Sequence, residues 1–191
     1  KEEQANALIA YHTKTLAELK EIEADFDKPR VLYLPYGLEL RTTGAGTYND
    51  EYITLAGGIN VAHELQGWQT VSFEQIIAWD PEVILVGNFV DEAPEEILAE
   101  DTLQSIAAVQ TKRIYKVPLG VYRWDPPNQE SPLMWKWLAE TLHPATFEFN
   151  LTEDIIDFYK SFYAYDLMPE QMARILQCDV QIGAQEWCIP H

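Results

Sequence analysis

Arginine occurs beside aromatic and hydroxyl side chains in two separate stretches of the chain. The six residues concerned are Tyr36, Arg41, Thr43, Tyr122, Arg123 and Trp124. A guanidinium group pairs with anions and an aromatic ring stacks on planar groups, so each stretch can supply both ion pairing and stacking to a ligand. The alternative is that Arg41 and Arg123 only pair with acidic side chains at the surface. The chain has only 13 Lys and Arg against 31 Asp and Glu. Two arginines in matching loops therefore indicate ligand binding more strongly here than they would in a chain with many basic residues.

Both stretches follow apolar runs that predict buried strands. Residues 31–34 and 114–117 are such runs, and each stops at a proline. Residues 83–86 form a continuous apolar run that ends at a glycine, which is typical of a strand covered on both faces. Open α/β sheets place their ligand sites in the loops at the carboxyl ends of the strands. We therefore expect the two arginine-containing stretches to lie on the ligand-binding face.

The carboxylate of Glu74 is a second candidate group. Ser72 and Gln75 fit a capping box, in which the serine hydroxyl accepts from the amide of Gln75 and the glutamine side chain reaches back. The helix that follows turns apolar residues such as Ile76 and Ile77 inward and leaves Glu74 in solvent. A carboxylate in the first turn of a helix is favoured by the helix dipole, and stabilisation of that helix end is its simplest role.

The sequence contains no catalytic constellation. Cys178 has no evident base, and neither G-x-S-x-G nor H-E-x-x-H occurs. The four histidines are scattered along the whole chain, at His12, His63, His143 and His191. Two cysteines without a metal-type cluster argue against zinc, and a disulfide between Cys178 and Cys188 requires both an oxidising compartment and suitable geometry. We expect a protein that is not an enzyme and has no metal site and no cofactor.

Composition and charge narrow the class of partner. The 191 residues suffice for one ordinary domain or one lobe of a two-lobed protein, and 47% hydrophobic with 23% charged residues predicts a folded chain. The formal net charge of −18 repels phosphate backbones and anionic lipid headgroups. Nucleic acid and the membrane surface are therefore excluded as electrostatic partners, and a basic protein surface is favoured.

Strands and helices alternate along the first two thirds of the chain. Residues 1–26 carry apolar side chains at spacings of three and four and predict one long amphipathic helix. Residues 41–47 predict a loop, and residues 93–108 an acidic helical stretch between the second and third strands. Helices also follow beyond Pro118, including an aromatic one after Thr152. The pattern predicts an α/β fold, a three-layer lobe with a mostly parallel central sheet flanked by helices.

Four segments in order resemble one protein family. They are residues 47–62 (TYNDEYITLAGGINVA), 71–86 (VSFEQIIAWDPEVILV), 106–118 (IAAVQTKRIYKVP) and 131–139 (SPLMWKWLA). Together with His143-Pro144 they resemble the C-terminal lobe of class III solute-binding proteins, the extracytoplasmic receptors that deliver ferric siderophores, haem or cobalamin to ABC importers. The resemblance covers roughly residues 1–176 and is strongest to the iron-chelate receptors.

This resemblance implies the substrate-binding component of an ABC importer for an iron complex such as a ferric siderophore, with haem or cobalamin as alternative ligands. It also implies a periplasmic or cell-surface anchored location. In the family a long helix bridges two α/β lobes, so the expected organisation is a bridging helix at 1–26, a C-terminal lobe at 27–176 and a tail of unknown role at 177–191. Glu74 matches a carboxylate that docks into an arginine pocket on the permease.

One departure from the family pattern is that no N-terminal lobe precedes the predicted bridging helix. We expect either a part of a longer protein or an isolated lobe, and the alternative function is a protein-interaction or scaffold module that binds no solute. Without the missing N-terminal lobe, Leu8, Leu16 and Leu19 are expected to be exposed, and such an apolar stripe favours self-association.

Overall fold

The computed structural model of the protein describes residues 2–21, 27–91, 94–147, 149–182 and 188. Within these ranges the helices are α1 Glu2–Glu21, α2 Tyr48–Leu55, α3 Phe73–Trp79, α4 Pro94–Ala99, α5 Ala107–Gln110, α6 Ser131–Leu142, α7 Leu151–Tyr163 and α8 Pro169–Ile175. The strands are β1 Arg30–Leu34, β2 Arg41–Thr43, β3 Ile59–Asn60, β4 Trp68–Thr70, β5 Val83–Val86 and β6 Ile114–Lys116.

The central sheet is parallel throughout and has the strand order β3-β1-β5-β6. Its register places Tyr33 opposite Leu85 and Leu85 opposite Tyr115. The side chains of β5 are fully buried, as expected for a strand with helices on both of its faces. All parallel strands direct their carboxyl ends to one edge, and the loops at that edge carry the candidate ligand residues.

Alternating residues of each strand enter two different hydrophobic cores. Val31 and Tyr33 of β1 pack with residues of α1, α2, α6, α7 and α8, whereas Leu32 and Leu34 pack with residues of α3, α4 and α5. The strand period of two divides an apolar run between the faces in this way. The predicted three-layer α/β lobe is confirmed.

Helix α1 packs closely on the lobe. Leu19 is only 4% exposed, and Leu8 and Leu16 are partly buried against the larger core. The buried ammonium of Lys136 in α6 lies 3.6 Å from Glu18 and also contacts α7. The expectation of exposed leucines is wrong for Leu19, which is buried, and Leu8 and Leu16 are only partly exposed, because α1 packs against α6. Residues 1 and 22–26 of the predicted bridging helix lie outside the described residues.

Three other sequence expectations are corrected. Residues 41–43 are not loop: Arg41 pairs with Thr70 and Thr43 with Trp68 in an antiparallel ribbon of β2 and β4. Within the predicted helical stretch 93–108, of which residue 93 lies outside the described residues, the helix is divided into α4, a short 3-10 turn and α5. In α3, Ile76 is buried but Ile77 is 37% exposed.

A search of the described residues finds no helix with the length and apolarity of a membrane span.

Candidate ligand-binding site

Three aromatic rings form a cluster at the carboxyl edge of the sheet. Tyr36 follows β1, Phe89 follows β5, and Trp68 begins β4 of the antiparallel ribbon. The ring centroids of Tyr36 and Phe89 lie 4.9 Å apart, and Trp68 lies 6.3 Å from Tyr36 and 6.0 Å from Phe89. Trp68 remains 43% exposed. We call these three residues the aromatic patch.

Both candidate arginines lie over the aromatic patch. The guanidinium carbon of Arg41 is 4.8 Å from the ring centroid of Tyr36 and 5.7 Å from that of Trp68. The guanidinium carbon of Arg123 is 3.9 Å from the centroid of Phe89. The strand of Arg41 and the loop of Arg123, which are distant in sequence, therefore meet at one surface, and cation–π contacts hold the arginines there.

The alternative that these arginines merely pair with surface acids is not observed. Neither Arg41 nor Arg123 forms an ion pair with a carboxylate in the part of the chain that the structure describes. Arg123 donates instead to the hydroxyl of Tyr122 at 3.1 Å, and this hydrogen bond raises the pKa of the guanidinium. Arg30 provides the contrast, because it lies between Asp80 and Glu82. No carboxylate of the described residues thus lies within ion-pair distance of Arg41 or Arg123, although the charge of Asp125 acts on Arg123 from farther away.

A cavity of about 320 Å³ adjoins the aromatic patch. Trp68 and Phe89 contribute to its wall, together with Tyr48 and Asn49 from the first turn of α2. Asp125 also lines it and is itself fully buried. The cavity volume is near the lower end of the range for small-molecule sites.

Asp125 connects the loops beneath the aromatic patch. Its Oδ2 accepts from the hydroxyl of Tyr33 at 2.8 Å and from the main-chain N–H of Asn88 at 3.1 Å. Its main-chain carbonyl accepts from the side chain of Asn49 at 2.8 Å. Burial is the main cause that raises the pKa of Tyr33, so this phenol remains a donor at neutral pH. These bonds join β1, the loop after β5 and α2 to the loop that carries Arg123.

Two of the sequence-predicted contact residues do not reach the surface. Trp124 is fully buried, and its indole N–H donates to Glu130 Oε2 at 2.6 Å. Thr43, which belongs to β2 of the ribbon, is also fully buried. In this structure both residues support the loops, and the surface positions are those of Tyr36, Arg41, Tyr122 and Arg123.

Glu130 fixes the conformation of the Arg123 loop from inside. It is 1% exposed, and its Oε1 accepts from the main-chain N–H of Val121 at 3.3 Å. A Cβ added at Gly120 would collide with Glu130, Trp124 and the Tyr159 hydroxyl. Glycine is therefore required where the loop passes over this buried carboxylate.

Glu74 lies in the first turn of α3 and is fully solvent-exposed. The Ser72 hydroxyl accepts from the N–H of Gln75 at 3.3 Å, which confirms this half of the predicted capping box. Hydrogen bonding with Ser72 lowers the pKa of the Glu74 carboxyl, so Glu74 is ionised at neutral pH. The side chain is available to an external partner.

Sequence reasoning missed Trp68, Phe89 and Asp125. Phe89 follows the strongest strand run of the sequence, and applying the carboxyl-edge rule to that strand as well would have found it. Trp68 had no such signal, because its three-residue strand has no buried position. Among the residues that the structure describes there is no group of His, Cys, Asp and Glu able to hold a metal ion.

Comparison with known proteins agrees with this architecture. A family profile described as periplasmic binding protein matches residues 1–119. The chain belongs to the periplasmic binding protein family. The resemblance to solute-binding proteins inferred from the motifs is confirmed.

Individual relatives extend the match along the chain. A periplasmic solute binding protein from Veillonella parvula is 39% identical and superposes with a TM-score of 0.87, over 94% of this chain and 56% of that protein. The molybdate-binding protein MolA of Haemophilus influenzae is 30% identical over 181 residues, which is 91% of this chain and 51% of MolA. Its molybdate-bound structure superposes with a TM-score of 0.71.

A third relative is an ABC transporter substrate-binding lipoprotein of Bacillus subtilis, YvrC, which is 27% identical over 77% of this chain and 47% of its own length. The chain thus spans about half the length of the curated relatives that it matches. The expected extracytoplasmic location is confirmed by these periplasmic and lipoprotein relatives.

Proposed function

We propose that this chain is the solute-binding C-terminal lobe of an ABC importer receptor, and that its aromatic patch and two arginines bind an anionic solute. The observation that carries this proposal is the position of Arg41 and Arg123, which lie over aromatic rings and leave their charge unpaired by described carboxylates. A positively charged surface is unexpected in a protein of net charge −18, and this contrast supports a role of the two arginines in binding an anion.

The aromatic patch favours a solute with a planar part. Rings of Tyr36, Phe89 and Trp68 can stack on an aromatic group while the flanking guanidinium groups pair with its negative charge. A ferric chelate with catechol-type ligands combines both properties, so a ferric siderophore is the first candidate. Haem offers a planar ring with carboxylates and is an alternative of the same chemical kind.

A molybdate-type oxyanion is the second candidate, because the relative MolA is a molybdate-binding protein and matches 91% of this chain. A bare oxyanion needs donors but no stacking partner. The arginines can pair with either solute, whereas the exposed ring of Trp68 can stack only on the chelate. Substitution of Trp68 therefore separates the two candidates.

We further propose that Glu74 contacts the permease of the importer. Its support is the exposed, ionised carboxylate at the start of α3, four residues after the end of β4. The ribbon therefore connects the aromatic patch directly to the helix that presents Glu74. A basic pocket on the permease would complement this carboxylate by charge-assisted hydrogen bonds.

Titration of the chain with three probes tests the proposed solute. Ferric tris-catecholate, haemin and sodium molybdate are each added while tryptophan fluorescence and heat of binding are recorded. We expect ferric tris-catecholate to quench the fluorescence, and we expect Trp68→Leu to remove most of that quenching and weaken binding. Binding of molybdate alone, with affinity unaffected by Trp68→Leu, would select the oxyanion.

The same titration separates receptor from scaffold. A folded chain that gives no heat and no fluorescence change with any probe would favour the interaction module over the solute-binding lobe. Lys112→Gln serves as the charge-matched control for the arginine variants, since this exposed residue precedes β6 at the opposite end of the sheet.

A further inference from the structure

The segment after α8 covers the open edge of the central sheet. Gln181 is 7% exposed, and its side-chain amide makes two hydrogen bonds with the main chain of Lys116 in β6. The Lys116 N–H donates to Gln181 Oε1 at 3.0 Å, and Gln181 Nε2 donates to the Lys116 carbonyl at 2.8 Å. Among the described strands β6 is the outermost of the sheet, so Gln181 caps main-chain groups on its outer side.

Gln177 of the same segment reaches the loop that carries Phe89. Its Nε2 donates to Asn88 Oδ1 at 2.8 Å and to the Val117 carbonyl at 2.5 Å. Asn88 in turn donates through its side chain to Val117 at 2.8 Å and through its main chain to Asp125 at 3.1 Å. Asn88 immediately precedes Phe89, whose ring lies beneath Arg123. Gln177 thus contacts Asn88, which is the neighbour in sequence of Phe89 in the aromatic patch.

A disulfide holds the segment near its start. Cys178 lies between the two glutamines and is bonded to Cys188, with 5.5 Å between the Cα atoms. Both cysteines pack against the larger hydrophobic core. An extracytoplasmic location supplies the oxidising conditions that such a bond requires.

We propose that residues 177–182, held by the Cys178–Cys188 disulfide, act as a brace that positions the Asn88–Phe89 loop for ligand binding. Gln177 and Gln181 are positioning residues and touch no solute themselves. The link to ligand binding rests on the proposed function, whereas the mechanical role of the brace does not.

Three altered proteins test the brace: Gln177→Ala, Gln181→Ala and the double variant Cys178→Ser with Cys188→Ser. Gln110→Ala is the matched control, because Gln110 is an exposed glutamine at the end of α5. Amide hydrogen exchange is measured by mass spectrometry without ligand. Peptides covering 87–90 and 114–118 report the brace, and a peptide covering 31–34 in the central strand β1 reports global stability.

We expect faster exchange at 114–118 for Gln181→Ala, faster exchange at 87–90 for Gln177→Ala, and both changes in the double cysteine variant. Exchange at 31–34 should match the wild type. Unchanged exchange in both reporting peptides would overturn the brace, and equal acceleration in all three peptides would show a merely global loss of stability and overturn it as well.

The ligand arm uses ferric tris-catecholate with the same proteins. We expect the Gln177→Ala and double cysteine variants to bind about threefold to tenfold more weakly, the effect of losing one to two hydrogen bonds that hold the loop. Wild-type affinity despite faster exchange at 87–90 would overturn the positioning role. If the wild type binds no probe while the exchange results hold, the brace stands and the proposed function fails.

Discussion

Arg123→Gln removes the guanidinium that lies 3.9 Å above the ring of Phe89 and keeps a polar side chain at the loop. For an anionic solute the lost interaction is a charge-assisted hydrogen bond, which contributes about 1.5–3 kcal/mol. This free energy corresponds to a loss of affinity of roughly 10-fold to 150-fold. We expect Arg41→Gln to fall in the same range, because its guanidinium lies over the other side of the aromatic patch.

The fold should tolerate this change. Arg123 is partly exposed and pairs with no described carboxylate, so the free energy of unfolding should fall by only about 0.5–1 kcal/mol, the value of an exposed cation–π contact. Urea unfolding measures this difference, and calorimetric titration with ferric tris-catecholate measures the affinity. An affinity within twofold of wild type, or a loss equal to that of Lys112→Gln, would refute the assignment of Arg123 to the site.

Three further predictions concern the loop, pH and transport. Gly120→Ala should lower the free energy of unfolding by about 1–3 kcal/mol, since its Cβ overlaps a buried carboxylate; unchanged urea unfolding would contradict this packing. Burial lowers the pKa of His143 below its ordinary 6.5, so below about pH 6.5 the unfolded chain binds a proton that the folded chain does not. Stability should therefore fall as the pH decreases from 7 to 5, and the fall should be smaller in His143→Gln; equal slopes would contradict this reasoning. Glu74→Gln should leave urea unfolding and solute affinity unchanged but reduce uptake by cells that depend on the receptor, whereas the exposed control Glu95→Gln should not; normal uptake in Glu74→Gln would refute the docking role.

The strands and their layers could be predicted because burial on both faces requires continuous apolar runs. The apolar runs 31–34 and 83–86 are stable only where both of their faces are buried. The centre of a sheet with helices on both faces provides such a position. The carboxyl-edge rule then predicted one common edge for Arg41 and Arg123, although Arg41 lies in strand β2 and not in the predicted loop.

The antiparallel ribbon could not be predicted from sequence, because its two strands have three residues each and carry no clear alternation. Trp68 enters the aromatic patch only through the pairing of Thr43 with Trp68. Likewise, the burial of Trp124 depends on a carboxylate, Glu130, that accepts its indole N–H. Such polar contacts produce no periodic pattern in the sequence, so they could not be predicted from it.

The exposure of α1 was predicted wrongly for a similar reason. The apolar stripe of Leu8, Leu16 and Leu19 shows that the helix packs on something, but not on what. In the structure α1 packs against α6, with Lys136 buried at the contact. The brace at Gln177 and Gln181 could not be predicted either, because glutamines in a tail carry no pattern that indicates pairing with a strand edge.

A hydrogen-exchange footprint at saturating ferric tris-catecholate tests the solute-binding claim most directly. The proposed site predicts slower exchange in peptides covering 67–70, 87–90 and 119–124, where the aromatic patch and Arg123 lie, and no change at 27–30 and 111–113 at the opposite end of the sheet. Protection at that opposite end, or no protection anywhere, would contradict the proposal that this edge of the lobe binds the solute.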